Sequence, residues 1–469
     1  MENTVLEEIK KGARFKTECL NLNHEGQGVC KISGLKENEP FHNFPLFVDN
    51  FLPSEKGIIE ITKLAKDYGY AKVITFFKET KRAEHVNPIC PNYWSCGGCN
   101  LMHMSYEYQL KFKRQMVEDT IKKIGGLDDI KVLPVIGMKK PYEYRNKVQV
   151  PFRKKGPKTI SGFFKRNSHE IIPFDKCYIQ PDVSTEVSNF VRNLCNEYKI
   201  TGYNEIEHSG LIRHILVRTN FDLSQVMIVL VLTNATLPHK EEMVEKITKR
   251  YPTVQSIVIN VNNQKGNTIL GNENITIYGN DTISDTLLGK KFNIGVQSFY
   301  QVNHQQTETL YSKAIEIADL NKEDILIDAY CGIGTIGLIA SNFVKEVYSV
   351  EIVKEAVQNA LKNAKTNKVK NIHFVCEKAE VQIKKWLNEG IKPTVIVVDP
   401  PRKGCDKNLL DTIDEMKIQK VVYVSCDPAT LARDLKYLTE KNYQVLGVQP
   451  VDMFPQTSNV ECITYLKRK

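Results

Sequence analysis

No stretch of about eighteen uninterrupted apolar residues occurs in the chain, so the sequence offers no transmembrane helix. The opening residues, MENTVLEEIKKGARFK, are charged and lack the apolar core of a secretion signal, so a cytosolic protein is expected. Internal repeats and low-complexity tracts are also missing, which excludes solenoid architectures. Nor is there a large excess of charge. The net value of +9 suits a polyanionic partner without demanding one. Without a secretion signal, twelve cysteines argue against a disulfide scaffold and for metal binding or chemistry.

A chain of 469 residues is too long for one ordinary core, so two or three domains are expected. The first eighty or so residues read as five short strands: Phe15–Asn21, Gly28–Ile32, Leu46–Val48, Lys56–Lys63 and Tyr70–Phe77. Turn signals at His24–Gly28, Lys36–Glu39 and Asn50–Gly57 separate them, and the set suggests an OB-like barrel, an architecture that often binds nucleic acid. A mixed α+β region follows, 81–298, with strands predicted at Val148–Phe152, Ser161–Phe164, His214–Thr219 and Val226–Leu232 and a helix over Met104–Lys123. From residue 299 to 469, apolar runs at Ile325–Ala329, Val347–Glu351, Ile372–Cys376, Val395–Asp399 and Val421–Ser425 alternate with helical stretches. That alternation predicts a doubly wound, mostly parallel α/β sheet, which binds ligands at the carboxyl ends of its strands.

Four motifs converge on that sheet edge. In VVYVSCDPATLARDL a strand delivers Cys426 to the point where a helix begins, with Asp427 and Pro428 as helix-start residues. A helix N-terminus favours thiolate over thiol, so Cys426 is a candidate nucleophile. The first α/β turn, ILIDAYCGIGTIGL, contains the GxGxxG of Gly332, Gly334 and Gly337, with Glu351 ending the next strand, where it can take two ribose hydroxyls. A dinucleotide is one reading. Asp328, placed just before the glycines, would repel a pyrophosphate and fits a cationic sulfonium such as S-adenosylmethionine better. VIVVDPPRKG puts Asp399 at the strand end, where Pro400 and Pro401 stiffen the loop and Arg402 is available for phosphate or a carbonyl. In MFPQTSNVECITYL, Glu461 precedes a terminal strand. If that strand runs antiparallel to its neighbours, Glu461 shares the edge of Asp399 and Cys426, and a thiol beside a carboxylate suits attack followed by proton abstraction. Upstream, CPNYWSCGGC holds Cys90, Cys96 and Cys99. It reads as a metal or iron–sulfur site lacking one ligand, for which Cys177 in PFDKCYIQP is the best candidate. Spacing does not separate zinc from a cluster.

Taken in order, CPNYWSCGGC, FYQVN, DAYCGIG, VVDPPRKG, VSCDPATLARDL and FPQTSNVE resemble the bacterial RNA uridine-5 methyltransferases, most closely the 23S ribosomal RNA branch. The resemblance covers nearly the whole chain. It implies a class I S-adenosylmethionine-dependent methyltransferase domain (299–469), an N-terminal TRAM barrel (1–80) that binds RNA, and a central iron–sulfur and RNA-binding domain (81–298). The helical piece at about 102–133 is implied to pack on the methyltransferase domain. The resemblance further implies a [4Fe–4S] cluster on Cys90, Cys96, Cys99 and Cys177, and cofactor contacts at Gln301, Tyr330, Thr335, Glu351 and Asp399. Cys426 is implied as nucleophile, Glu461 as base, and a flipped uridine in single-stranded or looped RNA as substrate of a monomeric enzyme. Where relatives commonly read His-Val-Glu, this chain has Asn459-Val460-Glu461, and Thr335 replaces the Asn of some relatives.

Three other readings compete. A transfer-RNA uridine-5 methyltransferase is the nearest, although such relatives typically lack the barrel and the cluster. A nicotinamide-dependent oxidoreductase would use the GxGxxG, and a catalytically dead RNA-binding protein would not need Cys426 and Glu461.

Overall fold

Alternating apolar residues near the N-terminus build one curled sheet of six strands. In the computed structural model, which describes residues 7–36, 39–80 and 82–469, these are β1 (Arg14–Glu18), β2 (Asn21–Leu22), β3 (Gly28–Lys36), β4 (Glu39–Asp49), β5 (Lys56–Leu64) and β6 (Gly69–Phe76). Their order is β1-β5-β6-β4-β3-β2, and β1 curls back against β3. Phe44, Leu46 and Val48 alternate inward along β4 and pack with Cys30, Ile32, Ile59, Ile61 and Ala71. The expected five strands become six because Cys19 and Leu20 break the first segment, and β4 is far longer than Leu46–Val48. The predicted turn at Lys36–Glu39 falls on residues 37 and 38, outside the described residues.

The chain divides into two units. One comprises this barrel through Tyr93, together with Cys99–Met116 and Gln456–Ser458; the other comprises Trp94–Gly98, Val117–Pro455 and Asn459–Lys469. Helix α1 is Tyr106–Gly125, close to the Met104–Lys123 read from the sequence and shorter than the helical piece at about 102–133 that the resemblance implies. Beyond Gly126 the chain is extended instead. Leu133 N–H donates to Val448 O (2.9 Å) and Ile136 N–H to Pro450 O (3.0 Å), so residues 131–136 line the edge of the large sheet described below. No helix among the described residues is long and apolar enough to cross a membrane.

In the second unit, β7 (Lys147–Lys155), β8 (Lys158–Ser161), β11 (Ile212–Thr219), β12 (Val226–Leu232), β13 (Val254–Val261) and β14 (Glu273–Gly279) form a sheet in the order β14-β13-β12-β11-β7-β8. The short pair β9 (Phe163–Phe164) and β10 (Ile171–Ile172), helices α2 (Asp182–Glu197) and α3 (Lys240–Arg250), and the hairpin β15 (Thr282–Leu287) and β16 (Lys290–Gly295) complete this half. Strand β12 explains its own unbroken apolar run. Val226, Ile228, Leu230 and Leu232 face a core shared with α2 and α3, while Met227, Val229 and Val231 face a core shared with the last region. A strand buried on both faces has no polar side to show in its sequence.

The last region runs α4 (His304–Ala318), β17 (Ile325–Ala329), α5 (Thr335–Ala340), β18 (Glu346–Glu351), α6 (Lys354–Thr366), β19 (Ile372–Cys376), α7 (Ala379–Asn388), β20 (Val395–Val398), α8 (Lys407–Glu415), β21 (Lys420–Ser425), α9 (Pro428–Glu440), β22 (Tyr443–Val451) and β23 (Glu461–Arg468). Its sheet has the order β19-β18-β17-β20-β21-β23-β22. The first five strands in that order are parallel, and β23 is inserted antiparallel between β21 and β22. This is the doubly wound architecture expected from the alternation, closed by an antiparallel pair.

One buried carboxylate fixes two of the edge loops to each other. Asp434, on the otherwise apolar inner face of α9, accepts from the Tyr423 hydroxyl of β21 (2.6 Å) and from the Cys405 backbone N–H (2.8 Å). Arg433 donates to the same carboxylate (2.8 Å) and to Lys403 O (2.9 Å). The loop Asp399–Cys405 is thereby tied to the strand–helix junction that carries Cys426. Gly404 sits in this knot at φ +79°, and a Cβ there would meet Arg433 Nη2 at 2.4 Å and Asp434 Oδ2 at 2.6 Å. Gly404→Ala is therefore expected to cost about 2 kcal/mol of stability, the combined scale of left-handed strain and a steric conflict. Urea denaturation monitored by far-UV circular dichroism measures it, and an unchanged midpoint would contradict the assignment.

Candidate active site

Register places the candidate residues. Asp399 follows β20, and its N–H reaches Ala329 O of β17 at 3.5 Å. In the antiparallel ladder Ser425 pairs with Cys462, and one step further sets Cys426 opposite Glu461. The conditional expectation about the terminal strand is thus met: Glu461 begins β23 at the carboxyl edge of the parallel strands.

The field at this edge is negative, and burial resists it. Glu461 is 2% exposed, its Oε2 has no hydrogen-bond partner among the described residues, and burial followed by the charge of Asp399 pushes its carboxyl well above the usual range. Asp399 has some accessible surface but lies deep in the protein, and burial pushes it up to about 7. Asp328 is buried and also pushed up to about 7, chiefly by burial, although it accepts the Gly337 N–H at 2.8 Å. Its other oxygen has no partner. Arg402 is the positive neighbour, drawing down both Glu461 and Cys426.

Cys426 departs from its sequence reading. Pro428 is the first helical residue and Asp427 the N-cap, as expected. Yet burial, then Glu461 and Asp399, push the thiol up to about 11. The helix end does not compensate, because Asp427 uses it: its carboxylate already accepts from the Ala429 and Thr430 N–H groups at 2.9 and 3.1 Å. The resting group is a thiol, not a thiolate.

The expected cofactor residues line the same edge. Glu351 ends β18 and accepts from Gly332 N–H (3.0 Å) and Val353 N–H (2.9 Å). Tyr330 follows β17 in the left-handed region at φ +64°, a conformation costly for a non-glycine residue. Thr335 opens α5 after Gly334 at φ +81°. Gln301 is buried, its carbonyl accepts from Asn146 Nδ2 (3.0 Å), and its side chain bonds Tyr311. These groups fit S-adenosylmethionine. Carboxylates suit a sulfonium, Glu351 ends the second strand where ribose is expected, and the exposed apolar Ile352 and Val353 beside it suit an adenine. A nicotinamide dinucleotide fits poorly, since Asp328 takes the Gly337 N–H that a pyrophosphate would use.

The cysteine set behaves differently. Cys90 and Cys99 belong to the first unit, Cys96 and Cys177 to the second. Cys96 Sγ accepts the Gly98 N–H at 3.4 Å. Among the described residues no three His, Cys, Asp or Glu side chains are grouped to hold a metal ion, so the structure does not support the assembled cluster implied by the resemblance.

Two further residues escaped the sequence reading. Tyr311 of α4 lies buried among Asp399, Glu461 and Asp328, and Asp434 ties the loops. Asp434 was the more detectable, as a lone acid among Leu431, Ala432, Leu435 and Leu438 on an apolar helix face.

The raised thiol makes a kinetic prediction. Alkylation of Cys426 by iodoacetamide should be slow at pH 7 and accelerate as pH rises toward about 11. Glu461→Gln removes the charge that most opposes thiolate, so the rate at pH 9 should rise roughly three- to ten-fold. Mass spectrometry of the Cys426 peptide reads the rate, and an unaltered profile in the variant would show that the carboxylate does not control the thiol.

A family model described as tRNA (uracil-5-)-methyltransferase matches residues 105–469. A protein named "uncharacterized RNA methyltransferase" from Listeria innocua is 46% identical over 461 residues, covering 98% of this chain and 99% of that protein. Another of the same name from Bacillus cereus is 44% identical over 447 residues, covering 95% of each. The crystal structure of Pyrococcus abyssi tRNA (uracil-54, C5)-methyltransferase in complex with S-adenosyl-L-homocysteine superposes with a TM-score of 0.73 at 25% identity, covering 96% of this chain and 99% of that one. This chain belongs to the uracil-5 methyltransferase family of S-adenosylmethionine-dependent RNA-modifying enzymes.

Proposed function

We propose that the enzyme methylates carbon 5 of a uridine in 23S ribosomal RNA, with Cys426 as nucleophile and Glu461 as base. The observation that carries the chemistry is the placement of Cys426 opposite Glu461 at the edge lined by Asp328, Glu351 and Asp399.

Carbon 5 of uracil is a weak nucleophile. Attack of the Cys426 sulfur on carbon 6 forms an S–C bond, moves the ring double bond toward the carbonyl, and makes carbon 5 electron-rich. The thiol proton must leave on attack, and Asp399, pushed up to about 7, is a neighbouring carboxylate able to take it near neutral pH. Glu351, Gln301 and the Gly-rich turn would hold S-adenosylmethionine, which would supply an electrophilic methyl group. Carbon 5 gains a C–CH3 bond as the sulfonium S–CH3 bond breaks, with S-adenosylhomocysteine as the neutral leaving group. Glu461 then removes the proton from carbon 5, and the electron pair of that C–H bond restores the ring double bond and expels the Cys426 thiolate. The high pKa of Glu461 makes it a stronger base than an exposed carboxylate. The base must leave its stack to reach a half-buried thiol, which favours looped or single-stranded RNA.

The choice of ribosomal RNA rests on the barrel and on the cysteine run. Transfer RNA is the second reading, and one observation favours it: the Pyrococcus abyssi tRNA enzyme matches 96% of this chain, so chain extent does not separate the two substrates. The N-terminal barrel supports RNA binding by its architecture. On its outer surface Phe47, Tyr68 and Tyr70 lie within 5.7–5.9 Å of one another, ring centre to ring centre. Action on cellular RNA places the enzyme in the cytosol. A [4Fe–4S] cluster remains a reading of the cysteine run and Cys177, and no step of the reaction uses it.

Cys426→Ala should abolish methyl transfer while leaving S-adenosylmethionine binding intact, and Glu461→Gln should trap a protein–RNA adduct visible on a denaturing gel. Turnover by the alanine variant would remove the covalent step. Mapping 5-methyluridine in ribosomal and transfer RNA from a strain lacking the gene decides the substrate. Anaerobically purified protein should be brown and contain iron and sulfide, whereas colourless protein containing zinc would overturn the cluster.

A further inference from the structure

Three cations lie together in the second unit, outside the reacting groups. Arg218 of β11 pairs directly with Lys147 of β7 across the antiparallel ladder, and Arg145 Nε donates to Lys147 O at 3.1 Å. Arg218 is 3% exposed. Its Nη2 donates to Ser298 O and more weakly to Val296 O, but its Nε has no partner. None of the three forms an ion pair among the described residues, and the charged groups that act on Lys147 are the two arginines. Burial, followed by those arginines, pushes its ammonium down to about 8.

Such an arrangement is costly as it stands. A buried guanidinium and a half-buried ammonium, placed side by side without a carboxylate, are normally found only where something negative offsets them. Their location identifies the counter-charge. Leu216, two residues before Arg218, faces the core shared with the last region, so Arg218 and Lys147 project toward the same side. Between Arg145 and Lys147 lies Asn146, whose N–H donates to Val302 O (2.8 Å) and whose amide donates to Gln301 O (3.0 Å). The cations are thus anchored to the FYQVN segment that supplies Gln301 to the active site. Phe299, in the same segment, is a largely exposed aromatic ring.

We infer that Arg145 and Lys147, with the charge of buried Arg218 behind them, form a phosphate-binding site for the RNA backbone beside the target uridine. Arginine supplies a planar fork and lysine a point charge, a combination suited to phosphate oxygens. The site would hold the strand while the base is drawn out toward Cys426, and Phe299 offers a face on which a neighbouring base can stack. This inference rests on RNA being the substrate and not on the covalent mechanism.

The test uses the full chain and a fluorescein-labelled oligouridine of about twelve nucleotides, with affinity measured by anisotropy over a range of salt. Loss of one phosphate contact to a single strand should lower the slope of log K against log salt by about 0.7, which is about five-fold in affinity near 0.1 M salt. Lys147→Gln should show this loss, and Lys147→Arg should restore it. Arg145→Gln should show the same loss, so a folding defect in one variant leaves the other to decide. Affinity for S-adenosylmethionine, measured calorimetrically without RNA, should not change. A slope equal to wild type in both glutamine variants would overturn the site, and so would a loss of cofactor affinity, which would assign the cations to the cofactor's carboxylate. Binding is read without turnover, so failure of wild type to methylate uridine would count against the uracil-5 chemistry alone.

Discussion

Several carboxyl groups share one edge of one sheet, and the site is arranged around the cost of keeping them there. Asp328, Asp399 and Glu461 are each driven toward their protonated forms by burial, and Asp328 and Glu461 further by neighbouring carboxylates. In water they would repel weakly. In a low-dielectric setting the same charges raise one another's pKa and raise the thiol of Cys426 as well. An edge of this kind favours a cationic ligand, and a sulfonium is the cation that the family uses. The features proposed to hold the cofactor and those that tune the proposed nucleophile are therefore one electrostatic arrangement.

Keeping that arrangement requires backbone that does not move. Strand ends supply part of the rigidity, since Cys426 and Glu461 are set by ladder register and not by loop conformation. The loop after β20 has no ladder to fix it. Asp434 does so by joining Cys405 N–H, Tyr423 hydroxyl and Arg433 at a single carboxylate. Unlike the acids at the edge, this one is fully engaged by donors. The contrast separates a carboxylate placed for structure from carboxylates such as Glu461 and Asp328, each of which keeps one oxygen without a partner.

Much of this was legible in the sequence. Strands buried on both faces, such as β12 and β17, appear as apolar runs whose ends coincide with the elements, because nothing but burial shapes them. The edge residues were legible because each directly follows or begins such a run. Long-range effects were not. The extended segment beyond α1, which the resemblance implies to be part of a helical piece, depends on hydrogen bonds to a strand more than three hundred residues later. The state of Cys426 was misjudged because its local context, a helix start, points one way. Three-dimensional context, with Glu461 and Asp399 nearby and Asp427 already occupying the helix end, points the other.

Charge segregation also separates the two ligands of a methyl-transfer enzyme acting on RNA. A polyanion would be repelled from an edge lined by Asp328, Glu351, Asp399 and Glu461, yet its base must arrive there. Arg145 and Lys147, without ion pairs among the described residues, flank Asn146, which is bonded to Gln301 and Val302, and Arg218 pairs with Lys147 across the ladder. Placing positive charge where the backbone passes and negative charge where the sulfonium sits lets each ligand find a favourable field. It also orients the nucleotide, since phosphate and base are drawn to different places. Neither field would serve if the two were mixed into neutral ion pairs, which is a physical reason for Arg218 to remain buried without a carboxylate.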